Sequence, residues 1–222
     1  MLSIIDAAKK LQAFEQGVLT DRISVLEKEM NASNLTSCKS KLNSAGIDDS
    51  LLVAALTMKR ISGQINVIIH ALGILLALPK ILQRNERVES LSLGAGNSGK
   101  DFDVVTNQRV AEFKFIDWKG GPESIRQNSI FKDFFNLAEY ETDKERFLYI
   151  TGIQQPLKFF QGGRALKSVM SLNSKVWKNF QDKYGSRFEK VQNYYKYRKD
   201  RVRIVDLNTI LPSFLDFSRR GE

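Results

Sequence analysis

The sequence predicts an α/β fold, a mixed sheet of four to five strands flanked by helices and preceded by a helical N-terminal extension. Three observations predict it. Apolar residues recur at three- and four-residue steps over the first thirty positions and again from residue 50. The period changes to two over residues 87–116. A helical stripe at Ile125, Ile130, Phe134 and Leu137 then separates the last alternating segment from the apolar run Arg146-Phe147-Leu148-Tyr149-Ile150-Thr151. A parallel pair needs a crossover of about that length.

The elements follow in order. Ile4, Ala7, Leu11, Phe14, Val18 and Val25 give the first thirty residues a helical face. Residues 31–49, richer in Ser, Asn and Gly, read as a loop. From Ser50 a longer helix runs toward Leu78, where Pro79 should kink or end it. Its most apolar part, residues 65–82, contains Asn66, His70, Pro79 and Lys80, so a buried core helix is expected rather than a bilayer span, and no membrane partner is expected. Residues 88–93 alternate, as do 102–106 and 110–116, the last two joined by the short polar Thr106-Asn107-Gln108-Arg109. A tight antiparallel hairpin follows from that spacing. After Gly120-Gly121, Pro122 and Glu123 suit a first helical turn. Beyond Gly163 the chain reads as mainly helical, with Trp177, Phe180, Tyr184 and Phe188 at helical spacing and a late strand at 202–207. The expected organisation is a helical extension over 1–49, a core over 50–155, and a basic, mainly helical region over 156–222 that completes the same domain.

With 42% apolar and 27% charged residues, the chain has the composition of a soluble globular protein. Its one cysteine, Cys38, excludes an internal disulfide framework, and the first residues lack the basic start and apolar run of a signal peptide. A cytoplasmic protein is expected. The net charge of +9 points to a polyanionic partner, and residues 158–203 hold thirteen Lys or Arg against three acids. Lys175, Lys178, Lys183, Arg187, Lys190, Lys196, Arg198 and Lys199 are candidate phosphate contacts, with Tyr194, Tyr195 or Tyr197 either stacking on bases or packing on the core. The amphipathic N-terminal helix suits pairing of two chains.

The chemistry concentrates in Asp101-Phe102-Asp103-Val104-Val105 and Ala111-Glu112-Phe113-Lys114-Phe115. Strand alternation sets Glu112 and Lys114 on one face and Ala111, Phe113 and Phe115 on the other. Two carboxylates and an ammonium on neighbouring strands can hold a divalent cation beside a phosphodiester and steady an attacking water. The competing reading is a solvated cross-strand ion pair contributing well under about 1 kcal/mol.

In its order of elements and in these residues, the segment 65–151 resembles the PD-(D/E)XK nuclease superfamily, the restriction-endonuclease-like fold. Asp103, Glu112 and Lys114 stand at the family positions, with Phe102 where the family name has Pro. The resemblance implies a metal-dependent nuclease, with endonuclease and exonuclease action both open, that favours DNA over RNA and works by direct water attack. Asp103, Glu112 and the carbonyl of Phe113 would hold Mg²⁺ or Mn²⁺, and Lys114 would orient or help deprotonate water. Many members add a Glu from the leading helix, for which Glu89 and Glu86 are candidates, and a residue from the crossover helix, for which Gln127 is one. A branch with Gln-x-x-x-Tyr there differs from Gln127-Asn128-Ser129-Ile130-Phe131 at its last position. The alternative is a nucleic-acid-binding or assembly module that keeps the fold without cutting.

Two other features compete. Gly94-Ala95-Gly96-Asn97-Ser98-Gly99-Lys100 has phosphate-loop spacing, but Asp101 replaces the hydroxyl residue and a strand follows where a helix N-terminus is needed. It reads as a turn whose Lys100 contacts the nucleic-acid backbone. His70, the sole histidine, has no acid near it in sequence and reads as a hydrogen-bonded core residue.

Overall fold

The alternating segments form one sheet in the computed structural model, which describes residues 2–15, 18–31, 33–94, 99–115, 118, 123–170 and 173–212. Its strands β1 (Val88–Leu91), β2 (Val104–Thr106), β3 (Arg109–Lys114), β4 (Glu145–Ile150) and β5 (Arg203–Asp206) lie side by side in that order. The first three are antiparallel neighbours, whereas β4 is parallel to β3 on one side and to β5 on the other. This is a mixed five-stranded α/β sheet. Between β2 and β3, Thr106 Oγ1 accepts from the amides of Gln108 (3.0 Å) and Arg109 (2.9 Å), which closes the polar turn. That fixes the register of Val104 on Ala111 and Val105 on Val110.

The crossover from β3 to β4 is α5 (Ser124–Glu139). Pro122 lies outside the described residues, and α5 starts after Glu123. Of the stripe predicted for it, Ile130, Phe134 and Leu137 pack with Val110, Leu148 and Ile150 on one face of the sheet, whereas Ile125, in its first turn, is exposed. On the other face Ala111, Phe113 and Val104 meet Ile74, Ala77 and Leu78 of α4 (Asp49–Ile81). Strand alternation therefore aims Glu112 and Lys114, two and four residues beyond Val110, at the α5 side. Four helices, α6 (Gln154–Phe160), α7 (Leu166–Met170), α8 (Ser174–Tyr184) and α9 (Val191–Arg198), extend the first core, and α10 (Leu207–Ile210) brings Leu207 to the second. Of the tail aromatics, Tyr194 is fully buried and Tyr195 packs against the core, the packing alternative of the two.

The chain divides into two compact units, residues 1–66 and 67–222, with the division inside α4. The first unit holds α1 (Ile4–Glu15), α2 (Leu19–Met30), α3 (Leu35–Ser44) and the start of α4. The loop expected over 31–49 contains α3 instead. Asn34 accepts from the Ser37 amide at 3.0 Å while Ser37 Oγ accepts from the Asn34 amide at 3.0 Å, so the polar residues taken for loop formers are a helix cap.

Two expectations about α4 are corrected. Pro79 lies inside its last turn, and the helix ends at Ile81. A buried core helix describes only one face: in the second unit Gly73, Ile74, Ala77 and Leu78 are buried, whereas Val67, Ile68, Leu72, Leu75 and Leu76 are exposed. The sheet offers a single layer to pack on, so a helix apolar all round keeps one side bare. By length and composition alone α4 is long and apolar enough to cross a membrane. Contact on its packed side is close: a Cβ at Gly73 would collide with the Phe115 ring.

Candidate functional site

The hairpin register carries Asp103, one residue ahead of β2, opposite Glu112 on β3. One Asp103 oxygen accepts the Phe113 amide at 2.8 Å. The other lies 3.2 Å from His70 Nε2 on α4. The two carboxyl groups of Asp103 and Glu112 share a hydrogen bond. From the α5 side Asp133 brings a third carboxylate, 2.6 Å from Lys114 Nζ, with Lys132 Nζ 3.6 Å from its other oxygen. Asp133 is almost wholly buried, so this is not a solvated surface pair.

Crowding three acids in a poorly solvated place sets their protonation. Burial, then the charges of Asp133 and Asp103, push the Glu112 carboxyl up to about 10. Burial acts the same way on Asp103, but the His70 ring, the Phe113 amide and the Glu112 hydroxyl favour its charged form and hold it below the usual carboxylate range. The shared proton therefore belongs to Glu112, which donates to Asp103. Burial alone would lower Lys114, yet Asp133, Glu112 and Asp103 outweigh it and raise its affinity for the proton. At neutral pH Glu112 is a carboxylic acid, while Asp103 is held as a carboxylate and Lys114 as an ammonium.

The structure thus brings Asp103, Glu112 and Lys114 together, and Phe113 joins through its amide. It does not bring Glu89, which is exposed at β1 and pairs with Lys144 at 2.5 Å. Glu86 is buried in an ion pair with Arg109 and accepts from Thr106 Oγ1 at 2.6 Å. The Arg109 and Thr106 partners hold it ionised against its burial, a bracket between the end of α4 and the hairpin. Gln127 faces a cavity with Trp118, Lys158 and Phe159. Phe131, where one branch of the family has Tyr, is a core residue against Tyr194.

The predicted phosphate contacts divide. Lys183 and Arg198 are drawn onto Glu139 at 2.6 and 2.8 Å, and Tyr184 and Tyr194 donate to the same carboxylate. Arg187 and Arg198 lie over the half-exposed Tyr197 ring, 4.6 and 4.5 Å from its centre. Lys175, Lys178, Lys190, Lys196 and Lys199 are exposed and pair with no carboxylate among the described residues. Lys100 donates to the Leu91 carbonyl. Residues 95–98 of the glycine-rich loop lie outside the described residues.

Sequence reasoning missed Asp133, and it read His70 as a hydrogen-bonded core residue without finding its partner, Asp103, 33 residues away. A signal existed for Asp133: it falls three residues after Ile130 and four before Leu137, a charge within the apolar stripe. His70 likewise shares a face with Gly73, Ile74 and Ala77.

Among the described residues, no group of three or more His, Cys, Asp and Glu side chains is placed to hold a metal ion by itself. The donor set still suits a hard dication. Mg²⁺ is commonly held by one or two carboxylates with waters completing its shell, and Asp103 and Glu112 stand close enough to share a proton. No protein-family model, no curated protein and no solved structure matches the chain.

Proposed function

We propose that this protein is a divalent-metal-dependent nuclease with a restriction-endonuclease-like fold, hydrolysing phosphodiester bonds of DNA. The observation that carries the reading is the convergence of Asp103, Glu112 and Asp133 on Lys114, with Glu112 held protonated to about 10. A site that costs this much to ionise is one in which a dication can replace the proton.

Asp103 and Glu112 would hold the ion, which when bound neutralises phosphate charge and makes its water a nucleophile near neutral pH. His70 and the Phe113 amide fix the Asp103 carboxylate from two sides. Asp133 holds Lys114 protonated, so Lys114 acts as a cation that orients water or steadies charge on the phosphate and not as a base. The exposed lysines of α8 and α9 supply a surface for the rest of the polyanion.

The test is cleavage of duplex and single-stranded DNA with Mg²⁺ or Mn²⁺ against the same reaction in chelator. Metal-dependent cleavage should be abolished in Glu112→Gln and Lys114→Ala. Cleavage unchanged in both variants would overturn the assignment. A second reading, a non-cutting nucleic-acid-binding module, is favoured by the engagement of Lys114 with Asp133 at 2.6 Å. Calorimetry separates the two: Mg²⁺ or Mn²⁺ binding that disappears in Asp103→Ala supports the nuclease, and no metal binding supports the module.

A further inference from the structure

Trp118, Gln127 of α5, and residues in and just after α6 line a cavity of about 320 Å³. Two of its lining side chains carry buried polar atoms with no hydrogen-bond partner among the described residues, the Trp118 indole Nε1 and the Gln127 Oε1. Both residues are more than nine-tenths buried, at 8% and 6% exposed. A buried donor and a buried acceptor left open on one cavity are unusual, since such groups are normally satisfied within the protein or by a bound molecule. Phe159 lies beside Trp118 with ring centres 5.9 Å apart, giving the cavity an aromatic wall. At Gly162 a Cβ would stand 3.1 Å from the Phe159 carbonyl, so the chain turns close against α6 without adding a side chain to the space. Lys158 and Arg164 are exposed at this cavity and have no carboxylate partner among the described residues.

The occupant these groups describe offers an acceptor to Trp118, an N–H donor to Gln127, a flat apolar face to the rings and an anion to the two cations. A nucleotide has all four. We infer that this cavity seats one unstacked nucleotide of the nucleic-acid substrate, its base between Trp118 and Gln127 and its phosphate on Lys158 and Arg164. The inference rests on the nuclease reading. Every base presents a neighbouring N–H donor and acceptor, so the pocket reads the presence of a base and not its identity. Its size falls in the range of small-ligand pockets, which begins at about 300 Å³, and aromatic walls are how proteins hold unstacked bases. Gln127 stands six residues before Asp133 on α5, about 9 Å along a helix axis. A strand leaving the carboxylate cluster is held again at the cavity.

The test uses the whole protein in chelator, with dAMP, deoxyribose 5-phosphate and inorganic phosphate as probes, read by the indole N–H resonances of the two tryptophans. The expected result is a saturable shift of the Trp118 indole by dAMP and none by the two base-free probes. Lys158→Ala should weaken dAMP binding about tenfold, and Trp118→Phe, which keeps an aromatic ring and removes the N–H, should do the same when dAMP binding is followed by equilibrium dialysis. Absence of any Trp118 shift with dAMP overturns the inference, as does an equal shift with inorganic phosphate, which would make the cavity an anion site only. Since no cleavage is measured, the two readings fail separately. Nucleotide binding without Glu112-dependent cleavage removes the nuclease and leaves the pocket, and the converse removes only the pocket.

Discussion

Glu112 is where residue chemistry departs most from the ordinary. Unfolded, its carboxyl releases a proton near 4.5; folded, it keeps the proton up to about 10. Between those values the folded state binds one proton more than the unfolded state, so rising pH favours unfolding, by up to about 1.4 kcal/mol per pH unit for one such group. In chelator, Glu112→Gln should therefore melt above the wild type, with a gap that widens from pH 5 to pH 9, while cleavage is lost. A gap that is constant with pH, in paired melting curves, would show that Glu112 titrates normally. The same scale explains what could be read from sequence. Asp103, Glu112 and Lys114 were legible because strand alternation and a four-residue turn fix their relative places. Asp133 and His70 were not, because their partners, Lys114 and Asp103, lie 19 and 33 residues away and only the packing of α5 and α4 on the sheet joins them.

At the scale of elements, α4 is held to the sheet at Gly73, where the Phe115 ring fills the place of a side chain. His70 is one helical turn earlier, so the distance of α4 from the sheet also sets the imidazole on Asp103. Gly73→Ala should cost about 1–3 kcal/mol through overpacking, and should lower cleavage by displacing His70. Gly73→Ala combined with Phe115→Leu should recover much of both, measured by denaturant unfolding and cleavage rate; no recovery in the double variant would place the strain elsewhere. The order of strands and the crossover were legible because period two and period 3.6 differ clearly over residues 102–151. The exposure of one side of α4 was not legible, since an apolar sequence shows that a helix can be buried and not how many layers exist to bury it. Nor was α3, whose Asn34 and Ser37 serve as cap residues in a helix and as turn residues in a loop.

Over the whole molecule the positive charge is unevenly available. Lys175 and Lys178 project from α8 with no carboxylate partner among the described residues, whereas Lys183 and Arg198 neutralise Glu139 in a network with Tyr184 and Tyr194. Burial and the Glu139 hydrogen bond raise Tyr184 to about 12, so its hydroxyl remains a donor at any ordinary pH. Lys175→Ala and Lys178→Ala should each weaken DNA binding without regard to sequence and each reduce the salt slope by about one. Arg198→Ala should instead lower the melting temperature, because it removes a partner from a largely buried carboxylate. Equal effects of all three on the salt slope would mean that the Glu139 network opens on binding. The position of β4 between two parallel neighbours has a consequence in time. Its two parallel partners, β3 and β5, are reached only through long connections, so Leu148 must find Glu112 36 residues upstream and Ile204 56 residues downstream. The β2–β3 hairpin can close by itself, but the strand that backs Glu112 cannot dock until α5 has crossed over. Pairings of such separation slow the search for the native state toward milliseconds to seconds. In pulse-labelled hydrogen exchange during refolding, hairpin amides should gain protection before those of β4, and the carboxylate cluster should be among the last parts of the molecule to exist.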